Sequence, residues 1–368
     1  MALTERVLPQ SGHVVGRRLP GPDVVRAVAL IGVVVMNFHG YLVLDDRNRD
    51  GVGTGWAAAL FDPWIGPLST RFAATFVLVA GVGVTLLTRS AAGDHDRVVA
   101  MRWRLARRGL LLYVVGLLLD VIWPGTIILY YGALFVVAAA IFTLRSRWII
   151  AIGFAAALAG WTIRTWLFHQ NDHGHDTRWL TEPAQNSIRR YVFDVAINGT
   201  HPLLPWLAFL CAGIVLGRCL AFDWWRPVAI GTGVVLFFSA TALRSTGTTP
   251  FQQVLLSTDP FDRGGLYVCS ALGTALVAYA CIDWLADRYS RPLDPLRRAG
   301  QMTLTLYIAH VLVFNLVVRW LGWIEPTGLD VSLVFALGFW VTAIAAAAVW
   351  QRRFGIGPAE RVYRAFGG

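Results

Sequence analysis

Residues 24–41 read VVRAVALIGVVVMNFHGY, an apolar run interrupted only by Arg26 near its start and by Asn37 and His39 near its end. A helix crossing the roughly 30 Å hydrocarbon layer needs about 20 mostly apolar residues, and this run approaches that length. Nine comparable runs lie further along, near 69–88, 108–123, 127–143, 148–168, 203–220, 227–243, 264–282, 302–321 and 331–350. Only Trp123-Pro124-Gly125 separates the third from the fourth, a composition that makes a tight hairpin. The alternation expected of a transmembrane barrel strand is absent. The expected fold is therefore all-α: a polytopic integral membrane protein of about 10 transmembrane helices (10–11), forming one domain over residues 1–368.

The composition agrees. Hydrophobic residues make up 56% of the chain and charged residues 15%, with mean hydropathy +0.56. A soluble domain carries about 25% charged residues, so a soluble enzyme is excluded, as are a disordered chain and a disulfide scaffold. Net charge is +10, and all 32 basic residues are arginine. Such a charge would ordinarily suggest nucleic acid, but the arginines lie between apolar runs, so membrane lipid is the expected partner and nucleic acid is not. With ten spans and an inner N-terminus, 22 arginines fall on the inner side and 10 on the outer. That bias puts both termini in the cytoplasm. Residues 1–21 are then a cytoplasmic arm, 169–201 the longest extracytoplasmic loop and 351–368 a cytoplasmic tail. The first run starts late and contains Arg26, unlike a cleavable signal peptide. Cys211, Cys219, Cys269 and Cys281 lie in or beside spans and read as packing residues. The loop histidines His169, His173 and His175 lack a matching set of supporting groups, so no metal is expected. A lysine-free, Ala/Arg/Gly/Val-rich chain points to a GC-rich bacterial genome, hence to a bacterial plasma membrane.

Ionisable groups at membrane depth are costly, which makes them the main functional clue. Asp23 sits one turn before Arg26 and can pair with it. Arg26 and Asn37 are eleven positions apart, so they share a helix face at a separation of about 16 Å. His39 is rotated away, near the outer boundary. Arg71, following Asp62-Pro63-Trp64-Ile65-Gly66-Pro67, enters the second span at the same level. An arginine beside a histidine there could hold a carbonyl, carboxylate or phosphate near a base; equally, Arg71 could snorkel to headgroups. In the ninth span Tyr307 and His310 share a face, where His310 serves either chemistry or a helix–helix hydrogen bond. Asp120, Tyr130 and Tyr131 lie toward the outer side, with Asp120 either orienting a histidine or ending a helix in water. On the inner side Arg97, Arg102, Arg104, Arg107 and Arg108 form a basic segment, explained by topology and anionic lipid or by a phosphate-rich cytosolic ligand.

Asp23-x-x-Arg26 leading to Asn37 resembles the YeiB/DUF418 family, which is similar to the heparan-α-glucosaminide N-acetyltransferases of the transmembrane acyltransferase group. The Phe76-Val77-Leu78-Val79-Ala80-Gly81-Val82-Gly83 stretch, the run from Asn198-Gly199-Thr200-His201-Pro202 to Gly217-Arg218, and Gly300-Gln301-Met302 through His310 look like further signatures of that family. Related acyltransferase-3 proteins carry Arg-x10-His where this chain has Arg26-x10-Asn37. The resemblance implies acyl transfer from cytosolic acyl-CoA, as co-substrate, to a hydroxyl or amine acceptor at the outer face, and no metal. His39 would act as base, Asn37 or Arg71 would donate to the thioester oxygen, and His310 would join the catalytic group. Arg26, Arg102, Arg104, Arg107 and Arg108 would hold the donor. Acyl-CoA, an unidentified acceptor and a second copy of the chain are the remaining expected partners. A multi-pass transporter or lipid flippase with a mid-membrane polar site is the alternative.

Overall fold

The computed structural model describes residues 19–45, 55–91, 93–184, 187–325 and 328–368. Most of the 1–21 arm lies outside the described residues. Those described form helices and connections, with no strand among them. In chain order the helices are α1 (Pro20–Asp45), α2 (Trp56–Phe61), α3 (Arg71–Thr88), α4 (His95–Asp120), α5 (Ile127–Ile141), α6 (Ser146–Asp172), α7 (Arg178–Thr181), α8 (Ile188–Phe193), α9 (Leu203–Cys219), α10 (Trp225–Arg244), α11 (Pro250–Leu255), α12 (Gly265–Arg288), α13 (Asp294–Gly300), α14 (Thr303–Phe314), α15 (Leu329–Phe354) and α16 (Pro358–Gly367). Each of the ten expected segments coincides with one of them. Among the described residues seven helices are long and apolar enough to cross a membrane. An eighth span results if α8 and α9, bent by 52° where they meet, are counted as one. Helix α5 is apolar but shorter, and α4 carries the basic segment along its first turns. The protein is an all-helical polytopic membrane protein.

Small residues set how closely these helices approach. Apolar lipid offers little drive for helix association, so close packing at glycine supplies it. A side chain on Gly213 of α9 would run into the Leu78 carbonyl oxygen of α3, and one on Gly81 into the Leu210 carbonyl of α9. The α4–α5 pair is joined in the same way, Gly132 lying against the Tyr113 backbone and Gly116 against Leu129. At the turn between them Asp120 accepts from the Gly125 amide at 2.8 Å, and Gly125 supplies the positive φ of 85°. Asp120 is thus a hairpin cap rather than a partner of a histidine.

The expected loop and tail both carry helix among the described residues. Residues 169–201 carry the end of α6 together with α7 and α8. In 351–368, α15 continues to Phe354 and α16 then folds back onto the bundle. Helix α16 is strongly amphipathic and begins with Pro358 in its first turn. It packs against α4 and the first turn of α14, and together with the first turns of α1 these helices line a common cavity.

Candidate active site

The first turns of α1 build the inner part of the site. Asp23, 2% exposed, accepts from Arg26 Nη1 at 3.2 Å and from Gln301 Nε2 at 3.0 Å. Gly300 allows that approach, since any side chain there would meet the Asp23 carbonyl. Gln351 of α15 donates to the Arg298 carbonyl at 2.9 Å and tightens the same junction. The Asp23–Arg26 pair therefore forms as the spacing predicts, and it is fastened to the start of α14.

A cavity of about 540 Å³ opens beside this pair, bounded by α1, α3, α4, α5, α14 and α16. Ligand pockets typically enclose about 300–1,000 Å³. Along α3 it reaches from Arg89 to Phe76, thirteen residues or about 20 Å of helix. Its mouth carries Arg89, Arg108 and Arg364, with Arg26 further in. Among the described residues none of the three mouth arginines has a carboxylate partner. The two acids on the wall are engaged elsewhere: Asp23 with Arg26 and Gln301, Glu360 with the first amides of α14. The Arg108 guanidinium lies 4.9 Å from the Tyr363 ring centroid, and its buried Nε has no hydrogen-bond partner. Burial pushes the Tyr363 hydroxyl up to about 12, so that ring is neutral at ordinary pH.

The far end is apolar, lined by Phe76, Ile128 and Phe135, with two tyrosines. The Tyr307 hydroxyl accepts from the Ile127 amide at 3.2 Å and lies 3.1 Å from Thr126 Oγ1. Tyr131 is buried with its hydroxyl unpartnered. Behind Tyr307, ring centroids 4.6 Å apart, stands His310. It is fully buried among Phe38 and Trp123, and its Nε2 accepts from Asn37 Nδ2 at 3.2 Å. The shared face of Tyr307 and His310 is thus present, and Asn37 joins them from α1.

His39 stands apart from that group. Its Nδ1 lies 2.8 Å from the Phe61 carbonyl, which can only accept, so Nδ1 carries the proton. Nε2 is buried and has no hydrogen-bond partner among the described residues. Arg71 Nη1 donates to Ser270 Oγ at 2.9 Å, and the guanidinium lies 5.7 Å from the Tyr267 centroid. Of the basic segment only Arg108 lines the cavity. Arg102 donates to Thr143 at 3.1 Å and braces α4 against the end of α5, Arg104 stands partly exposed beside Arg108, and Arg107 is exposed.

Sequence reasoning missed Arg89, Gln301, Glu360, Tyr363 and Arg364. The amphipathic pattern after Pro358 was the available signal for the last three. A second cavity, of about 570 Å³ between α6, α9, α10 and α12, is lined almost wholly by apolar residues and carries no acid or base beyond cysteine thiols.

Residues 18–245, more than half of the chain, match the family model described as heparan-alpha-glucosaminide N-acetyltransferase, catalytic. Residues 222–367 match the model described as a protein of unknown function, DUF418. No curated protein matches the sequence. The cavity draws on both matched regions: α1, α3, α4 and α5 come from the first, α14 and α16 from the second.

Proposed function

The chain belongs to the heparan-alpha-glucosaminide N-acetyltransferase family, and from that premise we propose a membrane-bound acyltransferase that uses cytosolic acyl-CoA. The acyl group passes to a hydroxyl or amine acceptor at the outer face, in a bacterial plasma membrane. The observation that carries this reading is the cavity. Uncompensated arginines at its mouth suit nucleotide phosphates, which guanidinium groups bind in bidentate fashion. Its apolar depth suits a pantetheine arm, and it ends one ring short of the Asn37–His310 pair.

In this reading Arg26, Arg89, Arg108 and Arg364 hold the donor, with Arg102, Arg104 and Arg107 adding to the local field. His39 Nε2 takes the proton from the acceptor as it adds to the thioester carbonyl. The Asn37 amide and Arg71 are the donors available to the oxyanion, and His310 holds the Asn37 amide in place. The carbon–sulfur bond then breaks, and the CoA thiolate recovers the proton. Ten crossings with both termini cytoplasmic fit this path, because α1 begins and α16 ends at the same mouth.

The test uses purified protein in nanodiscs, assayed for acyl-CoA binding and turnover beside His39→Ala and His310→Ala. Binding with turnover lost in His39→Ala is expected. Absence of any CoA-ester binding rejects the enzyme reading, while binding with full turnover in both variants rejects the histidine assignment alone.

A further inference from the structure

Helix α16 lies wholly outside the residues that match the catalytic family model, yet it closes the charged mouth of the cavity. Glu360 fastens it there. Its Oε1 accepts from the Leu304 amide at 2.7 Å and the Thr305 amide at 3.1 Å, and its Oε2 accepts from Thr305 Oγ1 at 2.5 Å. Thr305 Oγ1 in turn accepts from the Ala359 amide at 3.1 Å. The first amides of a helix have no partner within it, and a carboxylate there is favoured by the helix dipole as well. Glu360 is 9% exposed, so these bonds form largely out of water.

The latch orients the rest of α16. Tyr363 and Arg364 come three and four residues after Glu360, about one turn along, and so share the inward face. Tyr363 meets Arg108, and Gly367 lets the Arg108 side chain lie across the end of α16, where any Cβ would strike its Nε. Arg364 stands close enough to Arg108 for their like charges to repel, and neither has a carboxylate partner among the described residues. Arg364 is exposed and Arg108 half-buried, so the two guanidinium groups, held on one cavity by the latch without a carboxylate, favour an anion between them.

We infer that α16 is part of the binding site: Arg364, held by the Glu360 latch beside Arg108 on the cavity that Arg89 also lines, receives a phosphate-bearing headgroup at the cavity mouth. Glu360 is a positioning residue acting through Arg364. Resting on the acyl-CoA reading, the inference takes CoA as the source of that phosphate; an anionic lipid headgroup carries the same chemistry and is distinguished by experiment.

Full-length protein in zwitterionic nanodiscs is titrated with CoA by calorimetry, and retention of phosphatidylglycerol is read by native mass spectrometry. Arg364→Gln and Glu360→Ala are each expected to weaken CoA about tenfold, the scale of one charged hydrogen bond. The double variant is expected to lose about tenfold as well, not the roughly hundredfold of independent losses. Glu360→Gln, which keeps an acceptor for both amides, restores affinity to within about threefold and serves if the alanine variant does not fold. CoA binding that is equal in wild type and all variants overturns the inference, as does additivity. If wild type ignores CoA but loses phosphatidylglycerol on Arg364→Gln, the helix assignment stands and the acyl-CoA reading falls. Binding of neither probe overturns both.

Discussion

His39 and Asp23 are both polar, buried and on α1, yet they are held in opposite ways. The Asp23 carboxylate pairs with Arg26 and accepts from Gln301, whereas His39 Nε2 has no partner among the described residues. Replacing Asp23 by Asn removes the charge that offsets Arg26. A charged hydrogen bond lost at a buried partner costs about 1–3 kcal/mol, reduced here because Arg26 still faces the cavity. A lower melting temperature is the expected outcome; an unchanged one would mean Arg26 is satisfied by solvent. Replacing His39 by Gln preserves a donor to Phe61 but removes the lone pair. Turnover should fall on the order of 10²–10⁴-fold with donor affinity unchanged, read from kcat and calorimetry; parallel loss of affinity would make His39 a folding residue. Asp23–Arg26 and Tyr307–His310 were legible from sequence because three residues along a helix always put side chains on one face. Gln301 on Asp23 and Asn37 on His310 were not, since those partners are more than 270 positions apart and only packing joins them. The bond of Arg71 to Ser270 was likewise not legible, since about 200 positions separate them and only packing joins them.

At the scale of elements, glycine contacts decide how α1, α3 and α5 present the cavity wall. Gly213→Val should destabilise the protein by about 1–3 kcal/mol or more, because the group it meets is the α3 backbone and cannot rotate aside. The same change at Gly338 of α15, which has nothing within 4 Å, is the control and should cost well under 1 kcal/mol beyond helix propensity. Equal melting temperatures for the two variants would show that α3 and α9 can part without loss. Just before the site, α13 depends on charge. Arg298 donates to Asp294 at 2.6 Å and Arg297 at 2.9 Å, and these bonds hold its carboxyl below the usual carboxylate range. A depressed folded value means the stabilisation is complete above the unfolded value of about 3.9. It fades as pH falls further, through the folded value. Wild type should therefore melt above Asp294→Asn at pH 7 by a small, salt-screened margin. The margin should begin to shrink as pH falls below about 4 and close once the folded carboxyl is itself protonated; a margin undiminished at about pH 2 would exclude the carboxylate as its source. The helices themselves were legible from apolar run length, whereas α16 was not, because ten residues of mixed charge read as tail until a partner surface exists.

For the whole molecule the open quantity is the number of crossings, and the cavity bears on it. Seven helices meet the requirements for a span by length and apolarity, eight with the bent pair. Seven crossings would put the first turn of α1 and the last helix on opposite faces of the membrane. Asp23 and Arg364 line one cavity, and on that ground we propose an even number of crossings between them. Ten satisfies that, with α4, α5 and α9 each crossing, and it also collects most arginines on the face of the arginine-lined mouth, as the positive-inside rule requires. An eight-crossing arrangement is even as well, but leaves α4 and α5 to cross or not cross together. The two are joined backbone to backbone through Gly116 and Gly132, so they behave as one hairpin. Its turn, at Pro124, distinguishes the cases. Alkaline phosphatase, active only outside the cytoplasm, inserted after Pro124 should be active if the hairpin crosses. Inserted after Arg291, and fused at the C-terminus, it should be inactive. An inactive fusion at Pro124 would place the α4–α5 hairpin on the inner side, shorten the cavity to a surface groove and remove the route by which a cytosolic donor could reach an outer acceptor.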